Sequence, residues 1–206
     1  MIIAVDGPTA SGKGTIAKAL AAQFGLPHLD TGLLYRAVGR QCGLSGGNAD
    51  DPADAVAGCD FPDQLLADPE LRSEASGGLA SQVSVHPGVR AALFQRQRAF
   101  ATQPGGAVLD GRDIGTVIAP EAEVKLFVVA SIPARAERRF KEMQAAGRAV
   151  SLAEIAADLA ARDQRDRTRA EAPLVAAADA LLLDTSDFTR EGAIAEAVRL
   201  VKARLG

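Results

Sequence analysis

The sequence predicts an α/β protein whose core is a doubly wound, five-stranded parallel sheet, and three observations carry that prediction. Short apolar runs alternate with segments of helical period, each run is apolar nearly throughout instead of at every second residue, and the first run passes through a glycine-rich turn straight into a helix. The first strand is read at residues 2–5, stopping at Asp6, and Ile16, Leu20 and Phe24 at i, i+4, i+8 set the first helix, which Gly25 and Pro27 end. A brief second strand at 26–29 runs into Asp30, and Leu33, Leu34, Ala37 and Val38 give a second helix. Residues 43–58, rich in Gly, Ala and Asp, read as irregular surface or a small insert. Helices are expected at 68–84 and 87–101, with Val89, Leu93 and Phe100 on one side of the latter. Strands follow at 107–110 and 124–129, then a helix at 133–146. Ser151 and Glu154 have capping-box spacing and open a long charged helix to about residue 169. A strand at 180–184 and a helix at 189–205 complete the alternation, with no repeat and no linker long enough to separate independent domains.

Composition removes whole classes of function. At 206 residues the chain can bury roughly 70% of its unfolded surface in one core. Charges of 23 against 26 leave a net −3 and a pI near 5.5, so there is no basic excess to track nucleic acid or an anionic membrane. No apolar run approaches a membrane span, and the first five residues lack the basic start of an export signal, so a cytoplasmic protein is expected. Cys42 and Cys59 are not in CxxC spacing and His28 and His86 lie far apart, which speaks against zinc and for two inert thiols. With 4% aromatics and no Trp, a stacking platform for single strands is also missing.

Gly7-Pro8-Thr9-Ala10-Ser11-Gly12-Lys13-Gly14-Thr15 is G-x-x-x-x-G-K between a strand and a helix. Glycines let backbone N–H groups wrap a phosphate, the helix start adds its dipole, and Lys13 supplies a point charge that can follow the β and γ oxygens. Gly14 stands where Ser or Thr is usual, so the hydroxyl for a magnesium shell falls to Thr15. The only Asn, Asn48, is followed by Ala49, which removes the N-K-x-D element of a GTPase. Asp110, at the end of its strand, has two readings: holder of magnesium-bound water, or cap of the turn before Gly111.

With Asp30-Thr31-Gly32-Leu33-Leu34-Tyr35-Arg36, the loop resembles the nucleoside monophosphate kinase group of P-loop proteins, and within it bacterial cytidylate kinases. The segments Ser81 to Arg90, Gln95 to Phe100, Asp110 to Thr116, Arg162 to Arg169 and Ala172 to Val175 extend that resemblance over nearly the whole chain. It implies a P-loop nucleoside triphosphate hydrolase-type fold and transfer of the ATP γ-phosphoryl group to CMP or dCMP, with Mg2+ required. It further implies a single domain over 1–206, with an acceptor-binding region at 31–101 and a lid at about 138–152, and a monomer. One departure stands out: the family usually carries a three-stranded antiparallel insert, and the stretch between Cys59 and Arg72 is too short and too poor in β-branched residues to hold it. A reduced insert is expected there.

By this resemblance Lys13, Arg162 and Arg169 are the catalytic cations. Thr31 and Arg36 face the acceptor phosphate, Arg162 and Asp166 the acceptor ribose, and Ser81, Arg90 and Asp113 the cytosine edge. Arg36 can also be read as a solvated helix charge, and Ser81 and Arg90 as cap and helix surface. Arg112 is either a phosphate contact or the ion partner of Asp113. Asp158 with Arg162 and Asp163 with Arg167 have the i,i+4 order of an exposed salt-bridged helix, yet Arg162, Arg165 and Arg169 share one face where an anion would relieve their repulsion. Arg135, Arg138, Arg139, Lys141 and Arg148 form a second basic group, of which Arg139 is expected to reach ATP. Two alternatives remain open: a P-loop kinase for UMP, AMP or a non-nucleotide hydroxyl compound, and a nucleotide-binding regulator without turnover.

Overall fold

The computed structural model describes residues 1–145 and 147–206. Five strands, β1 (Ile2–Asp6), β2 (His28–Asp30), β3 (Ala107–Gly111), β4 (Val124–Val129) and β5 (Leu181–Asp184), pair in parallel in the order β2-β3-β1-β4-β5. β1 is the central strand: Val5 is in register with Asp110 on one side and with Leu126 on the other. Its residues alternate between two cores. Ile3 and Val5 pack with Ile16 and Leu20 of α1 (Lys13–Phe24) and with Ala197 and Val201 of α8 (Arg190–Leu205). Ile2 and Ala4 pack on the opposite face with Ala101 of α5 (Pro87–Ala101) and with Ile114 and Ile118. Both faces of the central strand are covered, which is why β1 is apolar up to Asp6; each large side chain so buried contributes about 1.5–3 kcal/mol.

Two further apolar clusters build the walls at the carboxyl edge of the sheet. One joins α2 (Thr31–Leu44), α3 (Pro52–Ala57), α4 (Glu74–Val83) and α5 through Leu34, Val38, Ala55, Val83 and Val89. The other joins α6 (Ile132–Ala145) to α7 (Leu152–Thr168) through Ala136, Ile155 and Leu159. The capping box that opens α7 is formed: the Ser151 hydroxyl accepts from the Glu154 N–H at 3.2 Å, and the Glu154 carboxylate accepts from the Ser151 N–H at 2.9 Å.

Two expectations need adjustment. Residues 43–58 are not irregular throughout, because α2 continues to Leu44 and Asp51 caps α3 with Pro52 at its first position. The helix expected at 68–84 is interrupted: a 3-10 turn, Pro69–Arg72, ends at Ser73, whose hydroxyl caps α4. Residue 146, the expected end of the helix from 133 and a member of the expected lid, lies outside the described residues. Between Cys59 and Arg72 the chain forms two 3-10 turns and no strand among the described residues, the reduced insert that its length dictates.

Candidate active site

A cleft of about 700 Å³ opens along the carboxyl ends of the strands. Its floor is the loop between β1 and α1. A Cβ on Gly7 would collide with the Val128 carbonyl oxygen, so only glycine lets the loop pass β4. Gly12, with φ +88, is left-handed at the start of α1. Ala10 is left-handed at φ 61, a conformation that alanine rarely adopts and that the surrounding loop imposes. Thr9, Ser11, Lys13 and Gly14 line the cleft with the α1 N-terminus, while Gly7 and Pro8 lie outside its lining. Lys13 Nζ donates to the Pro8 carbonyl at 3.5 Å. Burial, aided by the Arg112 charge, pushes its amine down to about 8, against the pull of Asp110, Asp30 and Asp166.

Asp110, next to last in β3, lies beside this loop. One of its oxygens pairs with His28 Nε2 at 2.8 Å, and the other lies 3.5 Å from where a Cβ on Gly14 would sit, facing the start of α1. Thr15 lines the same end of the cleft. A hydroxyl and a carboxylate are hard oxygen donors, too few to enclose a cation and suited to one that keeps water and phosphate ligands. No group of three or more His, Cys, Asp or Glu is assembled for a metal among the described residues.

The far wall carries the predicted acceptor-side residues. Arg90 of α5 is ion-paired with Asp113 and lies 5.7 Å from the centre of the Tyr35 ring, and Arg169 approaches Asp113 at 3.9 Å. Arg112 is not the ion partner of Asp113, which Arg90 already fills: it donates instead to Asp166 at 2.7 Å and to Thr9 Oγ1 at 2.8 Å. Burial pulls the Arg112 guanidinium down, but Asp166 outweighs it and the net shift is upward. Arg36 is not a solvated charge. It is half-buried and donates to the Leu71 and Ser73 carbonyls at 2.8 and 2.9 Å, and burial with the neighbouring Arg162 charge lowers it. Thr31 lines the cleft, with its hydroxyl proton committed to the Asp110 carbonyl at 2.8 Å. Ser81 Oγ accepts from Arg165 at 2.5 Å, so Arg165 reaches the wall through Ser81. Arg36 and Arg162 meet over Gly77, where a Cβ would lie 2.7 Å from Arg162 Nη1 and 3.2 Å from Arg36 Nη2.

The order and geometry of these elements have known relatives. The family model described as cytidylate kinase matches residues 3–53 and 61–203. The chain belongs to the cytidylate kinase family. Among curated relatives, a cytidylate kinase from Azorhizobium caulinodans is 56% identical over 207 residues, covering all of both chains. Another from a Caulobacter species is 54% identical over 98% of this chain and 94% of that one. Two solved structures share the fold: an uncharacterized protein from Eubacterium ventriosum (TM-score 0.55, 14% identity, 100% and 99% covered) and a protein from Thermus thermophilus (TM-score 0.50, 21% identity, 100% and 98% covered).

Within this cytidylate kinase family member, the basic residues of α6 and α7 divide their work. Asp163 is not an exposed partner of Arg167: it is buried and bound through both oxygens to Arg135, at 3.0 and 2.5 Å. Arg135 also donates to the Thr9 carbonyl at 2.9 Å, tying α6 and α7 to the phosphate loop. Arg162 does keep its i,i+4 partner Asp158, at 3.0 Å. Arg139 lines the cleft but is engaged by Glu74 and Glu142, and Glu74 also meets Arg162 at 3.3 Å. Arg138 and Lys141 line the cleft, Arg138 donating to Thr185, while Arg148 borders a smaller recess with Arg72. Arg169 donates to the carbonyl of Ala172, a second left-handed alanine. The sequence reading missed Tyr35, Thr185 and Phe188, which line the cleft, and Glu74, which lies outside the lining and holds Arg139 and Arg162. Tyr35, the single tyrosine and next to Arg36, carried a signal; Glu74 and the loop after β5 carried none.

Cys42 and Cys59 are both free, and burial pushes both thiols up. No helix among the described residues is long and apolar enough to cross a membrane.

Proposed function

We propose that this enzyme is a (d)CMP kinase: it transfers the γ-phosphoryl group of ATP to CMP or dCMP, giving ADP and the cytidine diphosphate. The observation that carries this reading is one continuous cleft with the P-loop lysine on its floor and the Arg90–Asp113 pair on its wall, in a chain matched end to end by cytidylate kinases. ATP lies with its phosphates on the loop Gly7 to Thr15, held by backbone N–H groups and Lys13, with Arg139 nearby. Asp113 accepts from the N4 amino group of cytosine and Arg90 donates to its ring acceptors, with Ser81 at the same edge; uracil would turn its O4 against the carboxylate. Asp166, fixed by Arg112, and Arg162 receive the ribose. Thr31 and Arg36 receive the acceptor phosphate. We assign the acceptor-binding region to 31–101 and the lid to about 138–152 of one domain.

Transfer needs no general base, since the attacking atom is an oxygen of an already ionised phosphate. The task is alignment and neutralisation of charge spread over the moving group. Lys13, Arg162 and Arg169 supply positive charge, and Arg36 holds the acceptor in line. Guanidinium groups suit this because they stay charged and bind two oxygens at once. Thr15 would hold Mg2+ directly and Asp110 through water, and the ion when bound neutralises the β and γ oxygens. The reading carries with it a cytoplasmic, monomeric protein.

The test is ADP release from ATP and magnesium with CMP, dCMP, UMP and AMP offered separately. Turnover with CMP and dCMP is expected, with UMP roughly 5- to 150-fold poorer, since a mispaired buried polar edge costs about 1–3 kcal/mol. Silence with the two cytidine nucleotides would return the search to other acceptors.

A further inference from the structure

Asp6, the residue before the phosphate loop, is buried at 5% exposure and does not belong to the cleft lining. Its two carboxylate oxygens each accept one backbone N–H: Ile114 to Oδ1 and Gly115 to Oδ2, both at 2.8 Å. Those are the first two N–H groups of a π-type turn, Ile114–Ile118, whose Val117 and Ile118 N–H groups donate back to the Asp113 carbonyl. At the same time the backbone of Asp6 is in register with Gly111, the last residue of β3. One residue therefore grips the chain on both sides of Arg112 and Asp113, through its main chain before them and its side chain after them. The grip is close-fitting: a Cβ on Gly115 would lie 3.1 Å from Lys125 Cδ and 3.4 Å from Asp6 Oδ2.

The two gripped residues are those that meet Asp166, Thr9 and Arg90 across the cleft. Burial pushes the Asp6 carboxyl up to about 7, against the pull of the Gly115 and Ile114 N–H groups, so holding a carboxylate here is unfavourable for its own sake. A serine or asparagine could not serve both donors: each offers one well-placed acceptor, and the second N–H would be left buried without a partner.

We infer that Asp6 is a positioning residue for the acceptor nucleotide: by clamping the 112–115 turn it sets Arg112 and Asp113 at the geometry that binds and discriminates cytosine. The inference rests on the (d)CMP kinase reading and adds to it a residue that never touches substrate. It also makes a single residue the junction between the ATP-binding loop, which begins at Gly7, and the acceptor wall.

The experiment is Asp6→Asn, with steady-state kinetics on both substrates and a thermal melt. A folded variant is expected to show a rise of roughly tenfold or more in KM for CMP and a smaller preference for CMP over UMP, with KM for ATP within about twofold of the parent. A merely structural role would lower the melting temperature or kcat without splitting the two KM values, and a folded variant with unchanged KM for CMP overturns the inference. Equal rises for ATP and CMP also overturn it, placing Asp6 with the phosphate loop alone. Should the variant not fold, amide hydrogen exchange of the parent decides: Ile114 and Gly115 are expected to be strongly protected without nucleotide, and exchange at open-loop rates refutes the clamp. Failure of the parent to phosphorylate CMP or dCMP is a different result, overturning the kinase reading itself.

Discussion

Lys13 is held in the cleft at an energetic disadvantage. Its folded pKa, about 8, lies below the ordinary lysine value of 10.5, so folding weakens its hold on the proton, and the penalty is full below pH 8 and gone above 10.5. ATP phosphates reverse the shift. Binding is therefore expected to take up a proton above pH 8, and the affinity for ATP to fall as pH rises past that value; calorimetry in two buffers of different ionisation heat measures the uptake. The same penalty predicts that Lys13→Met loses turnover by a hundredfold or more yet melts higher without nucleotide at pH 7. With solvent access at the cleft mouth discounted, the gain is on the order of 1–2 kcal/mol. A variant that melts lower than the parent would contradict this account. The loop itself was readable residue by residue, because G-x-x-x-x-G-K between a strand and a helix leaves few alternatives. The partners of single arginines were not: Asp163 and Arg167 have good helical spacing, but Arg135, 28 residues away, approaches from α6 and takes the carboxylate.

At the level of elements, α4 shows why a glycine can belong to a helix. Gly77 faces α7, and the tips of Arg36 and Arg162 occupy the space that its side chain would need. Gly77→Ala is expected to cost little stability, since alanine is the better helix former by about 1 kcal/mol and the clashing atoms are mobile side-chain ends. Activity should suffer instead, with kcat/KM for CMP falling roughly tenfold as both guanidinium groups are displaced. Kinetics beside a thermal melt separates the two effects, and a variant as active as the parent would deny the two arginines their role. The long helices were legible from caps and period, as Ser151 with Glu154 for α7. The short α3 was not, since six residues in a Gly- and Asp-rich stretch give no period, although Asp51-Pro52 was its start signal.

For the whole molecule, three of the four apolar clusters send residues to the lining of one cleft, through Ile16 and Ala193, Tyr35 and Ala80, and Ala10, and the cations on its walls stand on different helices. Within the protein these charges lean on Glu74, Asp113 and Asp166. A nucleotide binds the folded form alone, since the unfolded chain has no such cleft, so CMP at a hundred times its Kd should stabilise the fold by about 2.7 kcal/mol. Differential scanning calorimetry should show this as a rise of roughly 5–11 °C; no rise would mean that CMP does not bind the folded form. The strands themselves could be read from the sequence, but their order could not. Every pairing joins segments far apart in the chain, and nothing local says that residues 2–6 lie between residues 107–111 and 124–129.

That central position of β1 has a consequence for synthesis. Asp6 leaves the ribosome well before the strands it pairs with, and its strand has no neighbours until β3 and then β4 follow, the latter ending at Val129. At about 5–20 residues per second this takes roughly 6–25 s, during which an apolar strand and the segment destined to hold ATP wait unpaired. The nucleotide site thus comes into being late, when the sheet closes around the earliest made of its strands.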